Sequence, residues 1–383
     1  MSASSPVVPA SAVSRLTVTR IETIPIRVPL ARVYSGSHYR MSHRSTIVTR
    51  VHTEEGVVGE AYAGDEDAGL REIDAIIQGE IAPRLAGEDA FAVERLWELA
   101  RPATFDILRD RRLGLVACAC VDAAIWDAIG KALGHPLWRL WGGYRKRLEV
   151  ISIGGYYGTG IPIAEEIEDF RARGLAGMKF KVGGLSPEED AERFREARAA
   201  AGPDFVLCAD ANQAWTPQEA IRFARLVAGE GLRWFEEPCR WHNDRRAMRD
   251  VRYAGGVPVC AGQSELSAGG CRDLMVEGAI DVCNFDSSWS GGPTEWRRVA
   301  ALGATFDVEM AHHEEPQVAA HLLASIPHGT YLETFHPDRD PIWWNLVANR
   351  PPLVDGWIEL GDAPGLGWEL DADYLERHRV AFP

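Results

Sequence analysis

Eight times between residues 150 and 335, a short run of apolar, mostly β-branched or aromatic residues leads into a polar or Gly-rich turn and then into an amphipathic stretch. The runs fall at 150–157, 177–182, 205–212, 234–238, 257–262, 281–286, 304–313 and 330–335, with helical patterns such as 187–201 and 217–229 between them. A buried strand followed by a returning helix is the unit of a parallel sheet. Eight of them, recurring roughly every 25 to 30 residues, predict an α/β barrel. In such a barrel, chemistry gathers at the C-terminal ends of the strands.

The chain before this repeat reads differently. Alternating β-branched residues over 16–30 and 46–63, broken at Glu54-Glu55-Gly56, predict an antiparallel meander, with a polar loop at 31–44. Helical periodicity follows over 70–86, 90–103 and 113–133, the last ending before Gly134 and Pro136. The expected domains are a flexible tail at 1–13, an α+β unit at 14–143, the barrel at 144–344, and a segment at 345–383 that packs back on the α+β unit. With 383 residues, the chain is long enough for two cores.

A net charge of -15 without a basic stripe argues against a nucleic-acid or anionic-membrane partner. No signal peptide or membrane span is expected. Seven scattered cysteines without C-x-x-C spacing suggest neither a disulfide framework nor a zinc site, so a reducing cytoplasmic setting is expected.

The strand ends carry the polar residues: Lys179 and Lys181, Asp210 and Asn212, Glu236, Gln263 and Glu265, Asp286, His313, and Glu333. Alternation turns Lys179 and Lys181 to one face and Met178, Phe180 and Val182 to the other. Exposed strand lysines are common, so the pair alone carries little. Set among acids it carries more, and burial beside a like charge is expected to lower a lysine pKa toward that of a base. Carboxylates on neighbouring strands repel one another unless a cation joins them. An oxygen-only set calls for Mg2+ before Zn2+.

These residues resemble the enolase superfamily, and within it the mandelate racemase subgroup of the mandelate racemase/muconate lactonizing enzyme family, which includes many acid-sugar dehydratases. The matching pieces are Ala123-Ala-Ile-Trp-Asp127 with Gly130-Lys131, the segment 136–143, Lys179-Phe-Lys181, Asp210-Ala-Asn-Gln213 and Phe235-Glu-Glu-Pro238. Further on come Asp286 ahead of Gly291-Gly292-Pro-Thr-Glu295, His313 before His321-Leu-Leu-Ala, Leu332-Glu333, and Pro364-Gly-Leu-Gly367. Together they span most of residues 15–375.

The resemblance implies a TIM-type (β/α)7β barrel with an N-terminal α+β capping domain completed by the C-terminal segment. It also implies one Mg2+ on Asp210 and Glu236, Lys181 as base on one face of the substrate, and Lys179 as its electrostatic partner. His313 with Asp286 would work on the other face, and Glu333 at a substrate carboxylate oxygen. The family's third metal-ligating Glu falls at Gln263 here. Residues 263 and 265 share a face in an extended segment, so Glu265 is favoured as third ligand, with Gln263 a neutral co-ligand or substrate contact. Asn212 is a further expected substrate contact. Tyr34, His38, Tyr39 and Arg40 lie on a loop that in this family closes over the barrel and selects the substrate, so they too are expected substrate contacts. His312 joins them if the strand end bends, although by alternation it faces away.

The expected reaction is Mg2+-dependent abstraction of the proton α to a carboxylate, with loss of the β hydroxyl of an acid sugar to give a 2-keto-3-deoxy acid. Racemisation, epimerisation or cycloisomerisation would use the same groups. A Schiff-base aldolase and a non-catalytic carboxylate-binding barrel are the rivals from other classes. The expected partners are a small anionic carboxylate and further copies of the chain, as a dimer or octamer.

Overall fold

In the computed structural model, which describes residues 14–63 and 69–382, three long strands open the chain. They are β1 (Val18–Ser35), β2 (Arg40–Thr53) and β3 (Val58–Ala63), antiparallel in that order. The tail expected at 1–13 lies outside the described residues. The loop expected at 31–44 is shorter than the sequence suggested. A register shift beyond Pro29 lets pairing resume at Tyr34 with Met41 and Ser35 with Arg40, so only residues 36–39 form the turn.

Against this sheet lies the helix Arg111–Leu133, capped by the Asp110 side chain. Its Ala- and Cys-rich face lets β3 approach closely. A Cβ on Gly59 would collide with the backbone of Ala124 and Ala128. By length and composition this helix could cross a membrane, but 89% of its most apolar window is buried inside the protein.

The barrel strands are β4 (Arg147–Gly154), β5 (Gly177–Lys181), β6 (Val206–Asp210), β7 (Leu232–Glu236), β8 (Val259–Ala261), β9 (Val282–Cys283), β10 (Glu309–Met310) and β11 (Leu332–Phe335). They are parallel, each beside the next, with β11 returning to β4. Between β10 and β11, Met310 bridges to Gly329. The strand expected at 304–313 begins later, because Gly292–Thr305 is helix.

The two-residue period stacks the interior. Ile151, Cys208, Trp234, Cys260, Val282 and Ala311 form one apolar layer. Asp210 and Glu236, two residues beyond Cys208 and Trp234, stand above it at the C-terminal ends. Met178, Phe180 and Val182 pack outward with Phe194 and Phe223. All seven cysteines are buried thiols.

The chain then returns to the cap. β12 (Trp357–Glu359) runs antiparallel to β4, and Val380 N donates to the Pro25 carbonyl at 2.9 Å. Ile342, Trp343, Leu346, Tyr374 and Leu375 join Ile24, Ile26 and Val28 in a second apolar cluster. The buried Arg44 of the cap pairs with Glu315 at 2.6 Å and with Asp340 at 3.6 Å. Cap and barrel are thereby joined directly over the strand ends.

Candidate active site

β5 ends on the two lysines, both buried. Lys179 Nζ donates to Glu236 Oε1 at 2.8 Å and to Glu333 Oε2 at 2.9 Å. Lys181 Nζ donates to Asp210 Oδ2 at 2.6 Å and to Asn212 Oδ1 at 3.1 Å. The expectation that burial beside a like charge lowers a lysine pKa is corrected here. Burial lowers both pKa values, but Glu236 and Glu333 outweigh it at Lys179, and Asp210 does so at Lys181. Both ammonium groups are therefore held protonated by the acids around them.

Those acids respond in turn. Burial, with Asp210 and Glu333 close by, pushes the Glu236 carboxyl up to about 8 despite Lys179. Burial also acts on Asp210, but Lys181 and Lys179 hold it below its ordinary value. Asp210 and Glu236 are register partners on β6 and β7. They offer a hard cation two inward carboxylates in a crowded, desolvated setting that a positive ion would relieve, and this donor set fits Mg2+. Among the described residues, no third His, Cys, Asp or Glu completes such a group.

Glu265 does not join them, which corrects the expectation from alternation. The chain leaves the extended form at Gly262, whose φ of 142° favours glycine, and Glu265 N donates back to the Gly262 carbonyl at 3.0 Å. The Glu265 carboxylate is held by Arg245 at 2.8 Å instead. Gln263 does line the site. Its N–H donates to Asn284 Oδ1 at 3.1 Å, and Asn284 Nδ2 donates back to Gln263 Oε1 at 2.9 Å.

Across the pocket, His313 Nδ1 donates to Asp286 Oδ2 at 2.9 Å, and Nε2 lies 3.2 Å from Glu314 Oε1. Burial lowers the imidazole pKa, but Glu314 and Asp286 raise it well above the usual histidine range. Asp286 is oriented by Ser288, whose N–H and hydroxyl donate to Oδ1 at 2.8 and 2.6 Å. His312 stays out of the pocket. Its Nε2 accepts from Ser287 N–H at 3.1 Å, while Nδ1 faces the His313 carbonyl at 2.9 Å.

Lys181, Asn212, Gln263 and His313 line one cavity of about 270 Å3, which His38 and Tyr39 of the β1–β2 turn close from the cap. The Tyr39 ring centre is 5.6 Å from Lys181 Nζ. The other two residues expected on that loop are placed elsewhere because the hairpin is longer. Tyr34 packs edge-on against Tyr156 at 5.1 Å beside a neighbouring cavity, and Arg40 is an exposed ladder residue.

Residues 162–374 match the enolase C-terminal domain-like family, and residues 17–142 match the mandelate racemase/muconate lactonizing enzyme N-terminal domain. The chain belongs to the mandelate racemase/muconate lactonizing enzyme family. Within it, 3,6-anhydro-alpha-L-galactonate cycloisomerase of Streptomyces coelicolor is 29% identical over 95% of this chain and 99% of its own. L-talarate/galactarate dehydratase of Salmonella typhimurium is 28% identical over 91% of this chain and 86% of its own. A mandelate racemase/muconate lactonizing enzyme from a marine actinobacterium, solved in complex with magnesium, superposes with a TM-score of 0.91. That protein is 61% identical, with 96% of this chain and 100% of its own covered.

In this mandelate racemase fold, Glu237, Glu314, Arg112, Trp241 and Arg339 also line the cavity, and sequence reasoning missed them. Glu237 and Glu314 follow strand-end residues but have φ of 37° and 52°, so the backbone turns and alternation no longer predicts their direction. Arg112 comes from the first turn of a cap helix. Nothing local marks that residue as facing a barrel.

Proposed function

We propose that this chain is a Mg2+-dependent hydro-lyase that removes the proton α to the carboxylate of an acid sugar and expels the β hydroxyl. The observation that carries this reading is that Lys181 and His313 reach the same cavity from β5 and from beyond β10. Asp210 and Glu236 would hold the metal, with Gln263 beside them. Bound there, Mg2+ would supply Lewis-acid stabilisation of negative charge on the substrate carboxylate and would take up the carboxylate charge that otherwise holds the lysines protonated.

Lys181 accepts the α proton as the C–H bond breaks. Lys179, fixed between Glu236 and Glu333, supports the negative charge that develops on the substrate carboxylate. Held protonated by Glu314 and Asp286, His313 donates to the β hydroxyl as its C–O bond breaks, so water departs. The resulting enol ketonises to a 2-keto-3-deoxy acid. A histidine poised as an acid favours this outcome over racemisation, which requires an acceptor on each face in turn.

Cycloisomerisation is the second reading, favoured by the relatives of that activity at 29% and 28% identity. It would use the same base and acid, with an internal oxygen in place of the β hydroxyl. Screening acid sugars and their lactones or anhydro forms for 2-keto acid tests the proposal. Keto acid from open-chain aldonates or aldarates supports dehydration. Deuterium uptake or optical change without keto acid sinks it.

A further inference from the structure

The cavity carries a cation that the proposed chemistry does not use. Arg112 stands on the first turn of the Arg111–Leu133 helix, where its N–H donates to the Asp110 side chain at 2.9 Å. Its guanidinium lies 4.7 Å over the Trp289 ring, and that ring lies 4.8 Å from the imidazole of His313. Arg112, Trp289 and His313 thus follow one another along one side of the pocket, the indole tilted by 54° to the imidazole, with the buried acid at one end and the half-buried cation at the other.

The other cations there are already engaged. Lys181 is bound to Asp210 and Asn212, and the buried Arg339 donates to Met41 Sδ at 2.8 Å. No carboxylate among the described residues forms an ion pair with Arg112. Its position at the start of a long helix adds positive potential of the same sign. Stacking on an indole leaves the edge of a guanidinium free to bind a carboxylate through two hydrogen bonds.

Resting on the function proposed above, we infer that Arg112 receives the far carboxylate of a six-carbon dicarboxylic sugar acid. With C2 and C3 beside Lys181 and His313, the part of a six-carbon chain from C3 to C6 spans roughly 4 Å at about 1.5 Å per zigzag carbon–carbon bond. A hydrogen bond of about 3 Å at each end extends that reach to roughly 10 Å, enough to pass the successive 4.8 and 4.7 Å contacts along that side of the pocket. A four-carbon hydroxy acid falls short. A six-carbon monoacid reaches Arg112 with only a hydroxyl, forgoing the charge-assisted pair.

Calorimetric titration of the Mg2+-loaded protein with matched pairs of hexarate and hexonate, galactarate with galactonate among them, reads binding apart from turnover when every protein compared, the wild type at position 112 included, also carries Lys181→Ala. The wild type is expected to bind the diacid at least about tenfold more tightly. Arg112→Gln should weaken the diacid by about 10- to 100-fold and the monoacid, which offers it only a hydroxyl, by less than about threefold. Arg112→Lys should recover part of the loss, since it restores charge without the planar fork. Equal binding of both acids by the wild type, equal weakening of both by Arg112→Gln, or binding of neither acid overturns the inference. The hydro-lyase reading fails by a different result, a retained diacid preference with no keto acid from any acid sugar.

Discussion

Nδ1 of His313 donates to Oδ2 of Asp286 across 2.9 Å, with both side chains closed off from solvent. Asp286 is one of two carboxylates that keep this imidazole protonated above its usual range. In Asp286→Asn, Glu314 alone opposes burial, so the His313 pKa should fall. The activity lost on deprotonation of His313 is then lost at lower pH, and the basic limb of the kcat/KM profile should move to lower pH. An unmoved basic limb would assign that limb to another group.

Mg2+ affinity should depend on Asp210 and Glu236 and not on Glu265. Asp210→Asn and Glu236→Gln each remove a ligand charge, so calorimetry should show losses exceeding the roughly 10- to 100-fold typical of an outer-shell change. Glu265→Gln, which touches the pair with Arg245, should leave the affinity unchanged.

Asp122 ties the cap helix to the barrel, accepting from the N–H and hydroxyl of Thr294, both at 2.8 Å. Burial pushes its carboxyl up to about 7 despite those bonds. The folded protein therefore keeps a proton that the unfolded chain releases near pH 4. The contribution of Asp122 is intact below that value and lost as pH rises through about 7. Asp122→Asn cannot release the proton, so its unfolding midpoint should decline less than that of the wild type from about pH 5 to about pH 8.

Arg44 holds Glu315 and Asp340 inside the joint between cap and barrel. Arg44→Met leaves those acids buried without their guanidinium, at a cost of roughly 3 to 5 kcal/mol in denaturant unfolding. Adding Glu315→Gln should restore part of that loss.

Where the backbone stays regular, side-chain direction was legible in the sequence. Lys179, Lys181, Asp210 and Glu236 sit on strands long enough for the two-residue period to hold, and both lysines do reach inward acids. The barrel was legible for the same reason, since eight repeats average out boundary errors such as that at 304–308. Legibility ended where the chain bends. Gly262 turns Glu265 toward Arg245, and positive φ values redirect Glu237 and Glu314. Residues distant in sequence were also hidden. Which acid pairs with which lysine, and the placement of Arg112 over Trp289, depend on contacts that no local pattern carries.

The central claim is that Lys181 takes the α proton from one face while His313 serves the other. Its most direct measurement is NMR of the α position in deuterated water with Mg2+, comparing wild type with Lys181→Ala on an acid sugar the wild type converts. The account predicts that the wild type loses the α proton and forms 2-keto-3-deoxy acid, that excess EDTA stops both, and that Lys181→Ala abolishes proton loss from the face Lys181 serves. Undiminished α-proton loss in Lys181→Ala, or full activity in excess EDTA, would contradict it.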